Sequence, residues 1–153
     1  MDKTDQQILE LLQSDAKLNI KEIAAELKMT KTPIYERIKR LERDGVIEKY
    51  VAVVNRKKLK SSMLVFCSVR LEEQKLPEIK RFEEAISEIP EVLECYLMGG
   101  ASDFLLKVVV EDLEAYHQFS SGKLAVLPNV SQIKSFFVLD EVKRSTVLPL
   151  LTP

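Results

Sequence analysis

The run IKEIAAELKMTKTPIYERIKRLERDGVIEKY, from Ile20 to Tyr50, constrains the fold more than any other part of this 153-residue chain. Ile20, Ile23, Ala24 and Leu27 recur at helical spacing and give a first short helix one apolar stripe. Thr30 stands where an N-cap belongs, its hydroxyl placed to accept a first-turn N–H. Pro33 falls in the first turn of a second helix, where a missing N–H costs nothing. Ile34, Ile38 and Leu41 form that helix's buried stripe, and Gly45 ends it in the left-handed conformation. Gly45-Val46-Ile47 then opens a wing-like strand. Upstream, a helix over 4–13 carries Ile8, Leu9, Leu11 and Leu12 and completes a three-helix core. Its entry, Thr4-Asp5-Gln6-Gln7, reads as a cap followed by Gln at the capping-box position. Two helices across a tight turn, followed by a strand, are the layout of a winged helix-turn-helix, which places its second helix in the DNA major groove.

The buried stripe leaves Lys31, Thr32, Tyr35, Glu36, Lys39, Arg40 and Arg43 pointing elsewhere. Lys31, Thr32, Tyr35 and Glu36, near the helix start, are the candidates for base edges, and Lys39, Arg40 and Arg43 for phosphates. A basic amphipathic helix also suits a plain solvated face, and look-alikes of this motif dock proteins. Periodicity and charge leave those readings open beside DNA binding. Lys28, just before the turn, stands where glycine often supplies a positive φ, so a modest strain is expected there.

Charge is divided along the chain. Residues 1–60 hold 14 Lys and Arg against 10 Asp and Glu, a net +4, while residues 61–153 hold 9 against 14, a net −5. A basic module joined to an acidic body is the pattern of a nucleic-acid binder with a second task. Arg56, Lys57, Lys58 and Lys60 close the basic part, as phosphate contacts or as a solvated linker. Hydrophobic residues make up 46% of the chain, enough to pack a core. No apolar run is long enough for a bilayer, and the start MDKTDQQ lacks the features of a signal peptide. The expected location is cytoplasmic. Cys67 and Cys95 lie in apolar strand-like runs without C-x-x-C spacing and are expected to act as small buried hydrophobes.

From Ser61 the pattern changes. Met63 to Leu71 alternates as a strand. A helix follows over 76–88, with Leu76, Ile79, Phe82, Ile86 and Ile89 as its stripe and Pro90 as its stop. Strands over 92–98 and 104–110 flank the hairpin Gly99-Gly100-Ala101-Ser102-Asp103. A second helix spans 112–127 with Leu113, Tyr116, Phe119 and Leu124 inward, and a last strand spans 130–139. The expected fold class is therefore α+β: an N-terminal winged helix-turn-helix over 1–49, a strand and basic linker over 50–60, and a βαββαβ ferredoxin-like domain over 61–153. With both helices on one face of the sheet, Leu64, Phe66, Tyr96, Leu105, Val109, Phe136 and Val138 fall on the other. That apolar face marks an interaction surface, most simply a homodimer. Tyr50 to Asn55 is a further strand candidate that links the halves and would pair across the same dimer.

The stretches DKTDQQILELLQSDAK, IAAELKMT and ERIKRLERDGVIEKY, with ECYLMGGASDFLLKV, DLEAYHQF and SFFVLDEVKRSTVLPL, strongly resemble the Lrp/AsnC (feast/famine, leucine-responsive) family of prokaryotic transcriptional regulators. The resemblance covers essentially the whole chain. It implies a regulator binding double-stranded DNA, dimers assembled into larger and often octameric particles, and a small effector, usually an amino acid, held between dimers near the glycine hairpin. It implies no other cofactor. By the same resemblance Tyr96, Leu113, Ser135, Phe136 and Phe137 are candidate pocket walls beside Gly99, Gly100, Ala101, Ser102 and Asp103. Two residues depart from the family pattern: Lys28 replaces the usual glycine, and Ser102 stands where an aromatic residue is common.

The hairpin has its own chemistry. Consecutive backbone N–H groups in a glycine turn can cradle a carboxylate, and Asp103 can accept from an ammonium. The same residues are also ordinary turn chemistry. Leu97, Met98, Leu113 and Phe136 nearby favour a side chain like that of Leu or Met. An enzyme is the first rival function, but His117 is the only histidine and no nucleophile–base pair, metal cluster or phosphate loop accompanies it. The other rivals are a DNA-binding architectural protein that needs no effector and a small-molecule sensor that docks a protein partner.

Overall fold

The computed structural model describes residues 1–59 and 63–150. Lys60, the last residue of the expected basic linker, lies outside them, as do Ser61, Ser62 and residues 151–153. Three helices come first: α1 (Lys3–Ser14), α2 (Ile20–Glu26) and α3 (Lys31–Arg43). The cap of α1 is not Thr4 but Asp2, whose carboxylate accepts from Asp5 N–H while Asp5 accepts from Asp2 N–H, both at 2.9 Å. Carboxylates three residues apart satisfy two free donors and favour the positive end of the helix dipole, which a hydroxyl cannot match. Asn19 and Glu22 close α2 in the same way. Thr30 does occupy the N-cap of α3, but its side chain makes no capping hydrogen bond.

Both turns after α2 and α3 are Schellman closures. Lys28 sits at φ 53°, with Lys28 N–H donating to Ala25 and Met29 N–H to Ala24. Gly45 sits at φ 71°, with its N–H to Glu42 and Val46 N–H to Leu41. The three helices bury Ile8, Ile23 and Ile34 completely, together with Ala24, Ile38 and Leu41. Each of the large side chains contributes about 1.5–3 kcal/mol by leaving water.

The expected wing strand does not form within the chain. Val46 and Ile47 both give their N–H groups to Leu41, folding the segment back on α3, and Tyr50 donates through its hydroxyl to Glu42 at 3.0 Å. Residues 50–55 likewise form no strand among the described residues. Arg56–Lys58 make one 3₁₀ turn.

The second part is the expected βαββαβ: β1 (Met63–Leu71), α4 (Leu76–Ser87), β2 (Val92–Leu97), β3 (Phe104–Val110), α5 (Leu113–Phe119) and β4 (Val130–Phe137). The sheet is antiparallel in the order β2-β3-β1-β4, as in ferredoxin-like folds. Val65, Cys67, Val69 and Leu71 of β1 and Phe104, Leu106, Val108 and Val110 of β3 face the helices and pack on Phe82, Ile86, Tyr116, Phe119 and Leu124. The second helix is shorter than its pattern suggested: after Phe119 it widens into a π turn, Ser120–Leu124, that still buries Leu124.

Leu76 and Leu113, expected inward, are exposed, because each is the first residue of its helix and lies beyond the reach of the sheet. Cys95 is also exposed, on the edge strand β2, while Cys67 is fully buried.

The chain resolves into two compact units, Val54–Glu141 and Met1–Val53 together with the segment beginning at Val142. That segment was expected with the second domain. It joins the first because Leu150 packs against the three-helix core and Leu148 bonds to Gln13.

Candidate nucleic-acid interface and effector site

On α3 the expected outward residues are outward. Lys31, Thr32, Glu36, Lys39 and Arg43 are exposed, and Tyr35 is 48% exposed although aromatic. Lys39 lies 5.9 Å above the Tyr35 ring and 2.8 Å from Glu42. The Glu42 carboxyl is held below its ordinary value by Lys39 and then by the Tyr50 hydroxyl. Arg43 pairs with its neighbour Asp44 at 3.1 Å. Surface pairs of this kind are weak and yield readily to another anion.

Arg40, the third expected phosphate ligand, behaves differently, because a buried acid already holds it. Its Nη2 lies 2.7 and 2.6 Å from the two oxygens of Asp5, which is 1% exposed. Arg37, which the sequence reading passed over, bridges Asp2 and Asp5 at 2.6 and 2.7 Å. Burial works to raise the Asp5 carboxyl, but Asp2 N–H and Arg37 outweigh it and hold the group below its usual value. The same contacts raise Arg37, through Asp2 first and Asp5 second.

The candidate effector residues divide. Gly99 to Asp103 form one hairpin, closed by Met98 N–H to Asp103 and fastened by Asp103 N–H to Val69. Neither Gly99 nor Gly100 has a positive φ, so the turn is not the nest of alternating left- and right-handed residues that the glycines suggested. One oxygen of Asp103 is already engaged. Its Oδ2 takes Leu71 N–H at 2.7 Å and the Gln74 amide at 3.3 Å, which ties the hairpin to β1.

Strand register separates the proposed walls. Ser135 and Phe137 face the helices, where Ser135 meets the Tyr116 hydroxyl and the Phe137 ring stands edge-on to Tyr116 at 5.1 Å. Tyr96 and Phe136 lie on the opposite face. Leu113 follows β3 at the end away from the hairpin, about 20 Å along the strand, and does not join the group within one chain.

What does converge on the hairpin is a hollow of about 220 Å³ on the open sheet face, lined by Ser68, Arg70, Ala101, Ser102, Gln132, Lys134 and Phe136. Four of these, Ser68, Arg70, Gln132 and Lys134, were not foreseen; the period-2 alternation of β1 and β4 was the available signal, because it puts them on one face with Phe136. The volume falls below the ~300–1,000 Å³ of drug-sized pockets and suits a smaller molecule. Arg70 and Lys134 supply cations able to hold a carboxylate.

Beside Phe136 of the hollow, itself 55% exposed, the open face carries Phe66, Leu105 and Val109, half-buried. Glu94 sits among them, its carboxyl held low by Lys107 at 2.8 Å and by the Tyr96 hydroxyl. Among the described residues, no three His, Cys, Asp or Glu side chains come together as a metal site, and no helix is long and apolar enough to cross a membrane.

Known proteins resemble the chain along its whole length. Residues 1–48 match a winged helix-turn-helix DNA-binding family and residues 64–148 the Lrp/AsnC ligand binding domain. The Bkd operon transcriptional regulator of Pseudomonas aeruginosa is 38% identical over 98% of both chains. The leucine-responsive regulatory protein of Escherichia coli is 35% identical over 99% of this chain and 93% of its own. A transcriptional regulator of Neisseria meningitidis, solved as a complex with L-Met, superimposes with a TM-score of 0.92 at 30% identity, covering 98% of this chain and 97% of that one. Both units are matched, and the chain belongs to the Lrp/AsnC family of DNA-binding transcriptional regulators.

Proposed function

We propose that residues 1–49 read DNA through α3, that 50–60 connect, and that the body from 61 onward assembles copies of the chain and senses a free amino acid such as Leu or Met. Lys31, Thr32, Tyr35 and Glu36 approach base edges at the start of α3, while Lys39 and Arg43 meet phosphates. Arg40 is left out of this set because of Asp5. The observation that carries the reading is the outer face of α3, where basic and polar side chains surround an exposed tyrosine. The protein acts where DNA is, in the cytoplasm, as a regulator rather than an enzyme.

A second copy covers the open sheet face, giving a dimer, and dimers associate further, up to an octamer. The effector lies in the hollow at the 99–103 hairpin with its carboxylate toward Arg70 and Lys134. The L-Met complex of the Neisseria meningitidis relative supports an amino-acid ligand. Exposed Phe136 in the hollow and Met98 beside the hairpin favour an apolar side chain. An effector at a contact between copies shifts assembly because it binds one state better than the other. Calorimetric titration of the protein with each amino acid tests this. Heat with Leu or Met that disappears in Arg70→Ala is expected; no heat with any amino acid contradicts it.

A further inference from the structure

Arg37 and Arg40 are three residues apart and share the flank of α3 that faces α1. Their guanidinium groups converge on Asp5, which also accepts Asp2 N–H at 2.9 Å. One buried carboxylate thus receives two cations and a backbone donor. The first cation is shared with Asp2, and the second comes from a side chain that remains 43% exposed. Lys31, Lys39 and Arg43 on the same helix meet either solvent or carboxylates that are at least partly open to it. The five cations of α3 therefore fall into two classes, three available to a phosphate and two withheld.

For Arg40 to leave for a phosphate, Asp5 would stay buried with half of its charge compensation gone, an arrangement proteins avoid. Cations on phosphates supply sequence-independent affinity, so their number sets how strongly a protein binds any DNA.

We propose that Asp5 is a specificity-determining residue of the DNA-binding unit: it keeps Arg37 and Arg40 off the phosphate backbone and so limits binding to DNA of the wrong sequence. The proposal rests on α3 being the DNA-reading helix.

The test uses the full chain, with fluorescence anisotropy on its own promoter fragment and on a scrambled duplex of equal length, over a range of salt. Asp5→Asn releases Arg40 and leaves Arg37 held by the exposed Asp2 alone. Its salt slope steepens by about 0.9 per cation that reaches a phosphate, so by up to about 1.8 per bound head. Its affinity for the scrambled duplex rises more than that for the promoter. Arg40→Gln, which leaves Arg37 on Asp5, keeps the wild-type slope. A folded Asp5→Asn protein with the wild-type slope and preference would overturn the proposal, as would an Arg40→Gln slope shallower by about 0.9. Should Asp5→Asn fail to fold by circular dichroism, the Arg40→Gln slope decides. A wild-type protein that bound neither duplex would overturn the DNA-reading role of α3 along with this inference.

Discussion

Gln13 and Leu148 exchange two hydrogen bonds: the Gln13 amide donates to the Leu148 carbonyl at 3.2 Å and its oxygen accepts Leu148 N–H at 2.6 Å. A side-chain amide here takes the place of a partner strand for an irregular segment, and Leu150 then packs on the three-helix core. Gln13→Ala removes both bonds from a partly exposed site and should lower the stability of the helix-turn-helix unit by about 1 kcal/mol. Ending the chain after Thr146 should lower it further by withdrawing Leu150. Amide hydrogen exchange in α1 checks this locally, since a protein of two units does not unfold as one.

Lys28 at φ 53° is a non-glycine residue in the left-handed region, and its side chain is exposed. Lys28→Gly should raise stability by up to about 1 kcal/mol, because relief of backbone strain exceeds the added chain entropy. Denaturant unfolding monitored on the helix-turn-helix unit reads the sign. A loss of stability would mean that the turn is unstrained.

Acid should loosen the junction of α1 and α3. Asp2 and Asp5 are both held below their ordinary value of 3.8 in the folded protein. A carboxylate with a depressed folded pKa stabilises fully above its unfolded value, and that stabilisation fades as pH falls below about 3.8 toward the folded value. In Asp5→Asn this portion of the acid limb should be absent, so the variant and wild type converge as pH drops. Urea midpoints between pH 6 and pH 3 check the convergence, and a constant difference across that range contradicts it.

Much of this architecture is legible in the sequence. Ile34, Ile38 and Leu41 announce α3 by spacing alone, and the alternation from Met63 to Leu71 announces β1 with its faces correctly assigned. Tertiary contacts are what spacing does not report. Asp5 reads as a capping-box neighbour, and nothing local shows that Arg40, 35 residues away, closes on it. Asp103 reads as a ligand group, yet the N–H of Leu71 claims it from 32 residues away. Leu113 reads as core because it fits the helical stripe, but the first residue of a helix can overshoot the sheet, and it remains 65% exposed. Tyr50 to Asn55 reads as a strand from its β-branched residues, but among the described residues it forms none.

The open sheet face gives the fourth prediction. Phe136→Lys puts a charge opposite Phe66 on that face, and a buried unpaired charge is costly at an interface. Light scattering should show the variant shifted toward the 17.5 kDa monomer, while His117→Lys, on the exposed side of α5, leaves assembly unchanged. Equal masses for the two variants would remove the sheet face from the interface.

The most direct test of an effector-controlled DNA-reading protein is a salt titration of binding to its own promoter fragment, run with and without saturating Leu or Met. Log affinity should fall linearly and steeply with log salt, by about 0.9 per phosphate contact, with the promoter preferred over a scrambled duplex. The amino acid should shift affinity or stoichiometry. Binding that ignores salt and sequence, and is unmoved by every amino acid tried, would contradict the account.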